Sequence, residues 1–311
     1  MKKNIINLLV ILSFLLILIE VFTHKLLVAS TISYSLHLWV TTLIPTMFPF
    51  FVISDVLIHY HITNYIPNFL KKNFCKLFHV SENVVSIFFL SCISGFPSNA
   101  RNTRNYFDLG LISKKEAEHV LMFTHFSNPL FILSTVAIFF FHREDYGYLI
   151  LISHWLGNIM IGLLFRSFNT PSTDYKLKEE KSQSFSQIFI HAIRISIDTL
   201  LLILGTLTAF LIFSSLIIQS FSLPVYFSTI LKGVLEITMG LKELSLLYLP
   251  DVYKVVIATM FLSFGGLSVH LQVLSQIADS DISYQPFFVA RIIHALISGG
   301  LSFIFYSCFF Y

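Results

Sequence analysis

The chain has 311 residues, of which 55% are hydrophobic and only 12% charged, against roughly a quarter in an average soluble domain. A net charge of +3, with Lys and Arg in separate clusters between apolar runs, excludes the continuous basic stripe of a nucleic-acid binder. The three cysteines, Cys75, Cys92 and Cys308, lack the spacing of a disulfide framework or metal site and read as buried small hydrophobes.

Apolar runs of membrane-spanning length recur from end to end. They predict an all-α polytopic membrane protein of roughly eight to ten spanning or half-spanning segments. Lys2 and Lys3 precede an apolar run at 5–19, and no small-x-small site follows it. Residues 1–29 therefore read as an uncleaved first helix with a cytoplasmic N-terminus. Residues 30–59 are long for one crossing, and Pro45 and Pro49 predict a kink there. Aromatics and Lys71, Lys72 and Lys76 over 65–78 suit a helix lying in the headgroup region.

The next apolar run, 84–92, is about half the ~20 residues that a crossing requires. It ends in Ser94-Gly95-Phe96-Pro97-Ser98-Asn99, and Arg101, Arg104, Lys114 and Lys115 follow. The pattern predicts a re-entrant hairpin near 84–106, entered from the cytoplasm. Residues 116–141 then cross outward with a kink at Ser127-Asn128-Pro129, and 146–165 return. Segment 169–186, with Lys176, Lys178, Lys181, Glu179 and Glu180, reads as a cytoplasmic linker.

In the second half, 191–218 cross, 226–247 read as one amphipathic helix carrying Lys232, Glu236, Lys242 and Glu243, and 255–264 stop short at Gly265-Gly266-Leu267-Ser268. A second hairpin is expected near 254–278, entered from outside, before a last crossing over 286–310 leaves the C-terminus in the cytoplasm. Units 30–168 and 187–311 thus repeat one element order with opposite insertion, which is the sequence pointer to a mid-membrane solute site. The expected alignment sets Val84-Val85-Ser86-Ile87 and Gly95 against Val255-Val256-Ile257-Ala258 and Gly265.

At each break a new half-helix would present unpaired N–H groups and the positive end of its dipole, an anion site. Ser98, Asn99 and Ser268 stand at N-cap positions, Gly95, Gly265 and Gly266 permit close backbone approach, and Ser127 and Asn128 mark the mid-span kink. Tight helix packing at small residues is the bland alternative. Arg101 follows the first break and His270 and Gln272 the second, so each is a functional candidate, with an interfacial anchor as the other account of Arg101. Glu236, flanked by apolar residues, is either a satisfied surface carboxylate or a coupling-ion ligand, and is the expected partner of Arg291. His119, His125 and His294 lack metal-ligand spacing and read as polar packing residues. No nucleophile elbow, phosphate loop, zinc-protease motif or paired carboxylates occur, so neither catalysis nor a cofactor is expected.

Several stretches resemble the sporulation integral membrane protein YlbJ family. They are His37-Leu38-Trp39 with Pro45-Thr46-Met47-Phe48-Pro49, Ser94-Gly95-Phe96-Pro97-Ser98 with Arg101, Phe126-Ser127-Asn128-Pro129, Leu235-Glu236-Ile237-Thr238-Met239-Gly240, Phe264-Gly265-Gly266-Leu267-Ser268, and Ala290-Arg291 with His294. The resemblance is collinear after the first helix. It implies a gate-domain fold like that of concentrative nucleoside transporters, a place in the mother-cell membrane around the forespore, and movement of dipicolinate, a flat aromatic dianion. Arg101 and the two helix N-termini would meet its carboxylates and Phe96 or Phe126 its ring. A nucleoside-like solute and a non-transporting sporulation scaffold are the alternatives. A homodimer, or assembly with other sporulation membrane proteins, is compatible with any of them.

Overall fold

The computed structural model describes residues 2–60, 62–168 and 184–310, all in helices and their connections. The expected linker 169–186 falls almost entirely outside the described residues. Among the described residues, six helical stretches are long and apolar enough to cross a membrane: Ile5–Thr23, Lys25–His59, Glu144–Phe168, Phe185–Phe221, Asp251–Ile277 and Gln285–Phe310. The chain is an integral, multi-pass membrane protein.

Helix α1 (Lys2–Thr23) lies at the periphery, and from Ile5 on most of its side chains are exposed. The long second crossing is α2 (Lys25–Leu38), a π-helical turn at Trp39–Leu43, and α3 (Ile44–His59). The expected proline kink is absorbed as that wider turn, which lies just ahead of Pro45 and in the stretch where an ordinary helix would set a carbonyl against a proline ring. Helix α4 (Asn68–Phe78) is amphipathic and stands at 93° to α5 (Glu82–Ser94), as an in-plane helix must. Lys71 and Glu82 pair across the corner at 3.5 Å.

Helix α5 and α6 (Ser98–Asp108) fold back on each other. Asn83 bonds the carbonyl of Leu111, Ser86 meets Tyr106, and Ser94 meets Ser98, a ladder that closes toward the turn. This is the expected first hairpin. The next crossing is not kinked but broken through: α7 (Lys114–Phe123) ends, residues 124–128 run unwound, and a π-helical leg, Phe131–Phe140, completes the span. Helix α8 (Glu144–Leu164) runs antiparallel along all three parts, with Gly162 against Phe123, His154 against Ser127, and Gly147 against Ala137.

Helix α9 (Phe185–Phe221) opens the second half under a capping box of Ser184 and Gln187. The single amphipathic helix expected over 226–247 is two helices, α10 (Val225–Leu235) and α11 (Ile237–Leu246), reversing at an extended Glu236. Tyr226 reaches the carbonyl of Tyr248, Lys232 pairs with Glu243, and Gly233 abuts Gly240, so the legs are antiparallel throughout. The hairpin of the second half is therefore this one and not residues 254–278. Those residues lie in α12 (Asp251–Phe264) and α13 (Gly266–Ile277), a single 27-residue span broken at Gly265. Along it runs α14 (Gln285–Phe310), placing Gly299 on Met260, His294 on Ser263, and Phe287 on His270.

Each half thus reads crossing, hairpin, broken span, crossing. A hairpin returns to its own side, so the first half crosses three times and the second begins on the opposite face. This is an inverted repeat. The opening crossings α2–α3 and α9 pack together, as do the closing crossings α8 and α14.

Candidate functional site

In each half the hairpin turn seats on the break of its own broken span. In the first half the main-chain N–H of Phe96 donates to Phe126 O at 2.8 Å. Asn128 locks the junction: Nδ2 donates to Ile93 O (3.1 Å) and Ser94 O (3.3 Å), while Oδ1 accepts from the N–H groups of Leu130 (2.9 Å) and Phe131 (3.2 Å). One carboxamide therefore caps the end of α5 and the start of the π-helical leg. Gly95, at φ 77 and ψ −171, lies where only glycine is at ease, and a Cβ there would stand 2.5 Å from Asn128 N. In the second half Gly266 sits on the other turn, its notional Cβ 2.9 Å from Ile237 Cγ2 and 3.5 Å from Leu235 O.

The two breaks also touch each other. His125, in the unwound stretch, stacks on Phe96 with ring centroids 4.8 Å apart, and its Nε2 would lie 3.0 Å from a Cβ at Gly265. Between the turns is a cavity of about 30 Å³, room for a water and not a solute. Phe96 and Phe131 line it from the first half; Glu236, Ile237, Thr238, Ser268, Val269 and Gln272 line it from the second. Leu43 and Met47 from the opening crossing and Ile203 and Leu207 from α9 form its wall.

The expected N-caps are placed differently. Ser98 Oγ turns back to Gly95 O (2.7 Å) and Ser94 Oγ, and Ser268 lies inside the first turn of α13. The N-cap positions are Pro97 and Gly265, so neither α6 nor α13 has a side-chain cap and both keep N–H groups free for another acceptor. The carboxamides of Asn99 and Asn102, fully buried, have no hydrogen-bond partner among the described residues, nor has Ser127 Oγ. Gln272 Nε2 donates to Thr206 on α9 at 2.8 Å.

Arg101 is not an interfacial anchor. It is buried, donates Nη1 to Thr199 Oγ1 at 3.0 Å, and holds Nη2 3.4 Å from Asp55 Oδ1, an ion pair longer than a hydrogen bond. Asp55, on α3, was absent from the residues singled out by sequence. Its signal was its place in an apolar run, where an ionisable residue requires a partner.

Glu236 does not pair with Arg291. Its carboxylate caps α11, accepting from Thr238 N (3.1 Å) and Met239 N (2.8 Å), where the dipole favours negative charge. Arg291 instead caps the carbonyl end of α7. It donates to Met122 O and, at 3.5 Å, to His125 O, and it also reaches Asn158 Oδ1 (3.2 Å) and His294 Nδ1 (2.8 Å). Since guanidinium only donates, His294 Nδ1 accepts and its Nε2–H donates to His154 O. His270 serves the other break, its Nε2 3.0 Å from Phe264 O and its Nδ1 2.6 Å from the Tyr284 hydroxyl. The chain ends left by each break are therefore capped by fixed side chains at α7, α12, α11 and the π-helical leg. Two N-termini, of α6 and α13, are left uncapped.

Inverted halves, each with a hairpin and a broken span, that meet at one small cavity define a multi-pass membrane protein built as an inverted repeat. Residues 40–144, which hold the first hairpin and the first broken span, match the Gate family, described as nucleoside recognition. The chain is similar to the sporulation integral membrane protein YlbJ of Bacillus subtilis (strain 168). Identity is 29% over 335 aligned positions, covering 95% of this chain and 82% of that protein. The resemblance drawn from the motifs thus holds along nearly the whole chain. No solved structure matches.

Proposed function

We propose that this protein is a sporulation permease that carries a small aromatic dianion, dipicolinate, across the mother-cell membrane around the forespore by alternating access of its inverted halves. The supporting observation is the convergence of both hairpin turns on one small cavity, with the two breaks in contact with each other and with those turns, beside two helix N-termini that have no side-chain cap. A carboxylate at either N-terminus would accept N–H bonds and meet the positive end of a dipole. The unpartnered Asn99 carboxamide stands in the first turn of α6, and Phe96 offers its ring to the solute's aromatic face. Arg101 is half-committed to Asp55, so a solute carboxylate gains its bidentate contact by drawing the guanidinium from that long pair. With about 30 Å³ available, the turns must part to admit the solute.

The test is uptake by the purified protein in lipid vesicles, with dipicolinate and a nucleoside side by side. Saturable dipicolinate uptake that falls at least about tenfold in Arg101→Ala supports the reading. Nucleoside uptake without dipicolinate uptake transfers the protein to the solute class in the Gate family's description. Uptake of neither, from protein that remains folded, rejects transport of both solutes in favour of a scaffold.

A further inference from the structure

We propose that Asp55, His59 and His191 form a site for one divalent first-row transition ion of the zinc type, joining the opening crossings of the two halves. The site is independent of which solute, if any, the central cavity takes. One ring nitrogen from each histidine and one Asp55 oxygen all lie within 4.8 Å of one another. His59 Nδ1 is 3.7 Å from Asp55 Oδ2, so the imidazole lies alongside the carboxylate. The histidine rings stand edge to face at 5.4 Å. His191 is exposed, so a rotamer change can supply the remaining approach.

Two features point to a ligand. Asp55 is buried, at 2% exposure, and its Oδ2 has no hydrogen-bond partner among the described residues. A buried carboxylate oxygen without a donor is costly, and a cation removes that cost. Its other oxygen faces Arg101, an outer partner of the kind that holds a ligating carboxylate in place. His59 Nδ1 is 2.8 Å from the Asp55 main-chain carbonyl; donation there fixes the tautomer in which Nε2 keeps its lone pair for a metal. Two imidazoles and one carboxylate favour zinc-like ions over calcium or magnesium, which take all-oxygen shells. His59 and Asp55 are one turn apart on α3, while His191 is on α9, so a bound ion would cross-brace the two halves. Through Asp55 it would also bear on the pair that holds the first hairpin.

The experiment is calorimetric titration of the full-length protein in detergent, free of any affinity tag, with Zn²⁺ and separately with Ca²⁺. Expected is one Zn²⁺ per chain, with affinity reduced about 100-fold in both His59→Gln and His191→Gln. Ca²⁺ should bind at least about 100-fold more weakly. Absence of a single saturable Zn²⁺ site, equal Ca²⁺ affinity, or folded variants that bind as the wild type would each overturn the assignment. X-ray absorption at the zinc edge of the wild type gives a readout that does not depend on variant folding. Two imidazole nitrogens in the shell support the site, and a shell without imidazole rejects it.

Discussion

Gly95→Ala tests the seating of the first hairpin on the first break. At φ 77 and ψ −171 the backbone of Gly95 occupies a region essentially confined to glycine, and holding alanine there costs about 1–3 kcal/mol. The new methyl would stand 2.5 Å from Asn128 N and 3.0 Å from its Cα, and both neighbours are main chain, so neither yields by a rotamer change. Relief requires the turn to lift from the break. That weakens the Phe96–Phe126 bond and the two bonds from Asn128 to Ile93 and Ser94, each contributing about 1 kcal/mol. With all three bonds lost, the whole effect is then about 4–6 kcal/mol. Two other glycines calibrate it. Gly110 also has positive φ (+70) but nothing within 4 Å, so Gly110→Ala shows backbone strain alone, about 1–2 kcal/mol. Gly205 lies inside α9 with open space around it, and Gly205→Ala should stabilise by about 0.5–1 kcal/mol. Unfolding by SDS titration in mixed micelles measures all three. If Gly95→Ala falls within 1 kcal/mol of Gly110→Ala, the close approach of turn and break is wrong.

Two further substitutions probe the buried charges. Either Asp55→Asn or Arg101→Met should destabilise by about 3–5 kcal/mol in the same assay, because each leaves the other charge buried and uncompensated. The double variant should lose well under the sum, and strict additivity would show that the pair does not form. Arg291→Lys keeps the charge but gives up the planar fork that reaches Met122 O, His125 O and Asn158 together, and should cost about 3 kcal/mol. A Lys variant as stable as the wild type would mean that Arg291 supplies charge alone.

What the sequence disclosed, and what it hid, follows from how each break is made. Gly95, Pro97 and Pro129 are residues that stop a helix by their own backbone, so the first hairpin and the interruption of the first broken span could be read directly. The second hairpin reverses at Glu236, a good helix former with no such signature. The reversal is held by its carboxylate folding onto Thr238 N and Met239 N, and by legs that close to where a Cβ on Gly240 would meet Gly233 Cα at 2.2 Å. Gly233 and Gly240, placed on either side of Glu236, were the signal that was passed over. Arg291 could not be assigned for a different reason: its chief acceptors are carbonyls freed by the end of α7, and main-chain partners have no residue identity to read.

The misreading of the second hairpin matters, because it sets which residues correspond. Matching Val84-Val85-Ser86-Ile87 to Val255-Val256-Ile257-Ala258 pairs Gly95 with Gly265, a hairpin turn with a helix break. By element order Gly95 belongs with Glu236, and the unwound residues 124–128 belong with Gly265. In that register the halves solve the same problem with different chemistry. The first break is stapled by a neutral carboxamide, Asn128, spanning hairpin and leg, whereas the second hairpin caps itself with a carboxylate and leaves Gly265 bare. The junction in the first half is therefore tied by side-chain bonds, and that in the second by the close fit of Gly266 on Ile237. Parting the first junction breaks the Phe96–Phe126 bond and the two Asn128 bonds to Ile93 and Ser94, and parting the second breaks none of these, so under the proposed permease cycle the second hairpin lifts at the lower cost.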